Sequence, residues 1–339
     1  VEKQKDVNIE LLRVISCIMV IFIHVANYYC RIMEDISVSS YVFACIINGI
    51  SRVSVPLFFM ISGSLLIGRE VDLRRNTARV TKILRPLVVW SAVYAVWNYF
   101  YMDKGYYNLQ DMFEEPVKKH LWYLYVLVGI YLTLPFWQKL FQNMNDEMVK
   151  YFSMLYICLL AINFYLAIQD MEVRYQIPLV GSSCHLGYFI MGYLIRQYRD
   201  KIHLRRLWAA CLAMLALAIV VGATLWYSFC DGQHCEDFFE YRNVLIGVAA
   251  MAVFYIAIKS RPFYLPETIG CWVGLVAKHS FTIYLSHILF LDILKEEIEM
   301  REMGAFVGIP LFSNMIFMAA FLFAGGLDKA RSIVEKSYI

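Results

Sequence analysis

The sequence predicts an all-α fold: a polytopic membrane helical bundle of about ten transmembrane helices, with both termini cytoplasmic. Three observations carry this. Of 339 residues, 60% are hydrophobic and 17% charged, against roughly a quarter charged in soluble domains. Mean hydropathy is +0.55. Apolar runs near the length that crosses a bilayer, about 20 residues, recur from one end of the chain to the other. A large soluble core can hide one such run but not a series.

Ten spans follow in order: 11–30, 42–67, 83–101, 120–137, 151–168, 178–195, 207–228, 243–259, 279–294 and 307–325. Residues 260–278 contain Pro262, Pro266 and Gly270 and read as an interfacial loop. Lys and Arg in the loops set the orientation. With the N-terminus inside, twenty of them fall in the cytoplasm and eight outside. Arg13 inside the first span, with no small-residue cleavage site after it, argues against a removable signal peptide. The loops are too short for a separate soluble domain, so residues 1–339 read as one membrane domain whose chemistry lies inside the bundle or at its faces. Basic loops beside a membrane do not imply nucleic acid; membrane lipid is the expected surrounding.

Nine cysteines show no metal-ligand spacing, and no metal is expected. Cys17, Cys45, Cys158 and Cys211 fall in apolar spans and read as small buried residues. Cys230 and Cys235 flank DGQH in a loop placed outside, where disulfides persist, and the spacing allows a bridge.

The first span holds the residues that lipid should exclude. Arg13 sits two residues into it, near enough for its guanidinium to snorkel to the headgroups. His24 lies thirteen residues in, where either a bonded core histidine or a working imidazole fits. Eleven residues at 100° each bring the two to one face, roughly 16 Å apart along the axis, with Glu10 one turn before Arg13. The stripe of carboxylate, guanidinium and imidazole reads as a tunnel wall. Arg52 lies in the second span. Ser62, beside Gly63, offers a hydroxyl at a place that also suits close helix packing. Arg69, Arg74, Arg75, Arg79, Lys82 and Arg85 follow; positive-inside bias accounts for most of them, but six bases within seventeen residues also suit a phosphorylated cofactor. His120 stands beside Trp122, Tyr123 and Tyr125, an ordinary aromatic belt on the simpler reading. In the ninth span Tyr284 precedes His287 by three residues and shares its face.

These segments together resemble an integral-membrane acyltransferase of the acyltransferase-3 family. IELLRVISCIMVIFIHV is similar to its first-span pattern of an acidic residue, then Arg, then His. PLFFMISGSLL, HLWYLYVLVGIYL and HSFTIYLSH resemble its second-span, His/Leu-Trp-Tyr and late Tyr/His segments, so the likeness runs from residue 9 to 289. The chain looks most like the short O-acetyltransferases that act on N-acetylglucosamine-containing envelope glycans of the enterobacterial common antigen type.

The resemblance implies an O-acetyltransferase of the bacterial cytoplasmic (inner) membrane. It would take acetyl from cytoplasmic acetyl-CoA and place it on a cell-envelope glycan or lipid-linked sugar acceptor. Arg13 and His24 match the residues regarded as essential, and Glu10 stands where most members carry Asp. The additional extracytoplasmic domain of some relatives is not expected here. The chemistry agrees: acyl transfer needs a base near neutrality, for which His24 serves. It also needs oxyanion donors, drawn from Arg52, Ser62 or Tyr284, and cations for the CoA phosphates. Two other classes use a polar stripe in a membrane, a proton- or solute-coupled transporter and a non-catalytic partner in glycan export. No internal repeat relates residues 1–165 to 170–339, as many transporters would show.

Overall fold

The computed structural model describes residues 6–103, 114–169 and 184–337. They form helices α1 (Val7–Arg31), α2 (Val38–Ser51), α3 (Ser54–Leu66), α4 (Leu73–Phe100), α5 (Trp122–Gln142), α6 (Asp146–Ile168), α7 (Cys184–Gln197), α8 (Arg206–Asp231), α9 (Val244–Lys259), α10 (Glu267–Glu297) and α11 (Ala305–Ser337). Among the described residues, nine helical stretches are long and apolar enough to cross a membrane, α2 and α3 counting together as one. The tenth expected span, 178–195, begins outside the described residues. Its described part, α7, has 14 residues, about 21 Å of helix.

The structure corrects three sequence boundaries. Residues 260–278 are a loop only as far as Pro266: α10 starts at Glu267 and continues through to Glu297. Pro266 takes the position just before the helix, where its missing N–H costs nothing, and Gly270 falls in the first turn. The span at 42–67 is not continuous either, because Arg52 and Val53 form a turn between α2 and α3. Pro56 explains the break. It has no N–H for the Arg52 carbonyl four residues back, and its ring would clash there. Arg52 closes α2 instead, its own N–H reaching Asn48 O and Gly49 O. Finally, α4 begins ten residues before position 83, with Asp72 as its cap accepting from the Arg75 N–H at 3.0 Å. The bases from Arg74 to Lys82 therefore lie on a helix, not in a loop.

The chain divides into two compact units, Val1–Ser64 with Val149–Ile339, and Leu65–Met148. In the smaller, α4 packs on α5, and Asn76 of α4 donates to Tyr131 O at 2.7 Å. In the larger, α1 is the hub: it packs on α2, α9, α10 and α11. Its sequence suits that place, with no Gly or Pro in 25 residues.

Hydrogen bonds identify two ends of the larger unit. At one, the Asn8 amide donates to Ala257 O and Ser260 O at 3.0 and 3.1 Å, and its Oδ1 accepts from Phe263 N–H. Arg196 reaches Asp6 at 3.4 Å, and the Tyr255 hydroxyl donates to Leu204 O. At the other, the Tyr29 hydroxyl binds Met300 O and Met303 O, and Arg31 pairs with Glu236. These contacts gather the start of α1 with the ends of α7 and α9, and the end of α1 with the α8–α9 and α10–α11 connections. That grouping is the one an alternating series of spans requires.

The SGS stretch of α3 is a packing site. A Cβ built on Gly63 would lie 1.6 Å from Phe189 O on α7, and one on Gly192 would lie 2.1 Å from Met60 O on α3. Backbone meets backbone here and cannot be relieved by a rotamer change. We expect Gly63→Ala to destabilise by at least the 1–3 kcal/mol typical of overpacking. Gly222→Ala on α8, which meets nothing within 4 Å, should be neutral or stabilising by about 0.5–1 kcal/mol. Thermal unfolding of the two purified variants in detergent checks the contrast.

Candidate active site

The centre of the larger unit holds two histidines. His24 of α1 and His287 of α10 face each other with ring centroids 5.1 Å apart and planes tilted by 48°. They are 263 residues apart in sequence, and the packing of α1 on α10 joins them. His287 is 1% exposed, whereas His24 is half-buried. His287 Nδ1 lies 2.6 Å from Tyr284 O. A carbonyl can only accept, so Nδ1 carries the proton and Nε2 is the basic nitrogen. The Tyr284 ring lies 5.7 Å from that of His287, as their three-residue spacing predicts.

Toward the start of α1, Glu10 and Arg13 pair at 2.9 Å. Their side chains are 15% and 25% exposed, so the arginine is tied to its own helix rather than stretched away toward headgroups. At the same end of the unit opens a cleft of about 570 Å³, lined by Asp6, Asn8, Arg199, Asp200, Lys259, Ser260 and Arg261 among others.

On the other side of the pair runs a chain of polar contacts that sequence reading missed. Arg52 Nε donates to Asn48 Oδ1 at 3.0 Å. Asn48 Nδ2 donates to Asn27 Oδ1 at 3.1 Å, and Asn27 Nδ2 to Glu236 Oε1 at 3.2 Å. Glu236 also accepts from Arg31 Nε and Nη2 at 2.8 and 3.2 Å. Burial alone would raise the Glu236 carboxyl; the Arg31 hydrogen bond and charge, helped by the Asn27 amide, outweigh it and hold the acid below its ordinary range. The Arg52 guanidinium lies over Phe239 and Tyr241, 5.3 and 5.9 Å from the ring centroids. The missed residues did leave a signal: Asn27 is three residues after His24, and Asn48 is four before Arg52.

The remaining sequence candidates lie elsewhere. Ser62 is half-buried on α3 and, among the described residues, makes no hydrogen bond to either imidazole. His120 is in the smaller unit, buried, with its ring edge-on to Tyr94 at 5.0 Å. Arg69, Arg74, Arg75, Arg79 and Arg85 are in that unit too. Arg69 Nε donates to Leu65 O at 2.7 Å and Arg75 pairs with Asp72 at 3.0 Å; Arg74 and Arg85 are exposed and Arg79 half-buried. A cleft of about 1370 Å³ between α4 and α5 is lined by residues such as Asn76, Pro135, Phe136 and Lys139, and by none of the five arginines. Cys230 and Cys235 are both free thiols, so the bridge their spacing allows is not formed. Cys235 Sγ lies 3.5 Å from Asp237 Oδ2, and burial, with that carboxylate's charge, pushes the thiol up. Cys158 and Cys211 are exposed rather than buried, on helix faces that lipid would cover.

A family model described as an acyltransferase domain matches residues 6–327. The chain belongs to the acyltransferase-3 family. No curated protein and no solved structure matches it. Membership spans both compact units and makes the protein a multi-pass membrane acyltransferase, which sets aside the transporter and non-catalytic readings of the stripe. The histidine pair is thus the candidate active site of a membrane acyltransferase.

Arg52 offers the sharpest structural test of the polar chain. Arg52→Lys keeps the charge but loses the planar donor to Asn48 and the flat face over the two rings. We expect a loss of about 1–2 kcal/mol in stability with membrane insertion intact, read by thermal unfolding and by fractionation of the expressed protein. An unchanged midpoint would mean that the contacts to Asn48, Phe239 and Tyr241 do not hold the turn.

Proposed function

We propose that the protein is an O-acetyltransferase with His24 as its general base, moving acetyl from cytoplasmic acetyl-CoA to a hydroxyl of a cell-envelope glycan. The observation that carries the reading is the pairing of His24 with His287 in a chain of the acyltransferase-3 family. His24 is the more accessible of the two imidazoles; His287, with Nδ1–H committed to Tyr284 O, sets its partner's position. The imidazole of His24 takes the proton of the acceptor hydroxyl as that oxygen attacks the thioester carbonyl. A C–O bond forms and the carbonyl becomes a tetrahedral oxyanion, for which the Arg52 guanidinium and the Tyr284 hydroxyl are the nominated donors. Collapse breaks the C–S bond, and the CoA thiolate leaves with the proton from the imidazolium. Roughly 16 Å of α1 separates Arg13 from His24, a span that suits a long thioester arm entering from the cytoplasmic end. The envelope acceptor nominated by the family likeness is an N-acetylglucosamine-containing glycan, lipid-linked or polymeric, at the inner membrane.

His24→Ala and His24→Gln should both insert and fold, yet lose transfer by the 10²–10⁴-fold that a general base supplies. Labelled acetyl-CoA and membrane glycolipid with purified protein give the measurement. Near-normal turnover in a folded His24→Ala protein removes the base assignment.

The five arginines of the smaller unit are nominated for the CoA phosphates. Lysine in place of Arg75 or Arg79 keeps the inside charge but not the bidentate fork. Such variants should keep their orientation and raise the KM for acetyl-CoA far more than that for the glycan. If the donor KM is unchanged across lysine variants at all five positions, the cluster serves topology alone and the donor site lies elsewhere, with the cleft beside Asn8 and Lys259 next in line.

A further inference from the structure

We infer that Cys30, Cys45 and His234 form a zinc site at the end of the larger unit remote from Glu10 and Arg13. The three come from separate elements: the last turn of α1, the middle of α2 and the α8–α9 connection. Their ligand atoms all lie within 4.8 Å of one another. Cys30 and Cys45 are fully buried. Sequence reading offers Cys45 only as a small apolar residue, and the 15- and 189-residue gaps hide the trio.

The geometry fits a bound metal better than a disulfide. The sulfurs are 3.8 Å apart. Two thiolates about 2.3 Å from a tetrahedral zinc stand roughly 3.8 Å from each other. A disulfide needs about 2.05 Å. The histidine is prepared in the way metal-bound imidazoles are: Nδ1 lies 3.0 Å from the Tyr41 hydroxyl, while Nε2 is buried without a hydrogen-bond partner. That orphan nitrogen is the one left for a ligand bond. The Asn48 amide points at Cys30 Sγ from 3.8 Å, a contact that steadies a thiolate.

Charge selects the ion. Two thiolates and a neutral imidazole carry −2, so a divalent ion gives a neutral cluster, whereas copper(I) leaves a net negative charge in an apolar setting. Softness of the donor set excludes magnesium and calcium. Three protein ligands leave the fourth position to water. The site lies one contact from the polar chain, because Asn48 touches both Cys30 and Arg52. Zinc there would pin α1, α2 and the α8–α9 connection together and so hold Asn48 toward Arg52. Its role is positioning, and it stands whether or not His24 is the base.

The test uses tag-free full-length protein in detergent with thiols reduced. Cobalt(II) serves as the spectroscopic probe and a chromophoric chelator as competitor for zinc(II). We expect one equivalent per chain, a thiolate-to-cobalt charge-transfer band, its displacement by zinc, and a higher thermal midpoint with zinc bound. Cys45→Ser and His234→Ala should each weaken zinc by more than the roughly 10–100-fold typical of losing an outer partner. Cys235→Ser, one residue from the histidine, should leave binding unchanged. If Cys45→Ser does not fold, His234→Ala, in a connection rather than a helix, decides alone. Absence of the charge-transfer band in wild type overturns the inference. So does equal zinc affinity in wild type and His234→Ala, or a Cys30–Cys45 disulfide in protein purified without reductant.

Discussion

Lipid solvates neither charges nor amides well, so such side chains on α1 must find their partners within the protein. The helix carries six of them along its length, and each is answered inside the protein. Glu10 and Arg13 answer each other. His24 meets His287. The Asn27 amide and the Arg31 guanidinium share Glu236, and the Asn8 amide is spent on the end of α9. Because these partners sit on different elements, α1 has to be enclosed. Its contacts with α2, α9, α10 and α11 follow from the residues it carries as much as from its apolar faces.

Arg52 shows how the fold accommodates a cation within an apolar stretch. Pro56 removes one intrahelical bond and displaces the Arg52 carbonyl, and the chain turns at that residue. The turn puts the guanidinium at the end of α2, over two aromatic faces and against Asn48. Irregular backbone at membrane depth is tolerated where protein buries it, and buried side chains on both sides of the turn, Ser51, Val53 and Ser54, meet that condition. The break is therefore part of the site's construction rather than a defect in a span.

The helical class of the fold was legible because hydropathy acts locally: each span announces itself over its own 20 residues. The His24 position was legible for the same reason, since an imidazole thirteen residues into an apolar run is anomalous without any partner in view. Tyr284 and His287 fell on one face by spacing alone. What could not be read was pairing. Nothing near residue 24 says that residue 287 lies across from it, and nothing near Asn27 or Asn48 says that they link Arg52 to Glu236. Boundaries failed where one residue type has two meanings. Pro266 and Gly270 were taken for breakers but stand at a helix start, while Pro56 was passed over in an apolar run and does break the helix. The basic stretch from Arg69 to Lys82 looked like a loop because charge density dominates a hydropathy window, although Asp72 caps a helix there.

Asn8 has a consequence for how this protein is made. Its amide fastens to Ala257 and Ser260, about 250 positions further along, and His24 waits still longer for His287. At elongation rates of about 5–20 residues per second, α1 leaves the ribosome ~12–50 s before these partners do. During that interval His24 and Asn27 belong to a helix that is not yet enclosed, whereas Arg13 already has Glu10 on its own helix. That face therefore stays uncovered until α9 and α10 arrive. Of the described helices, the one made earliest is among the last to be completed.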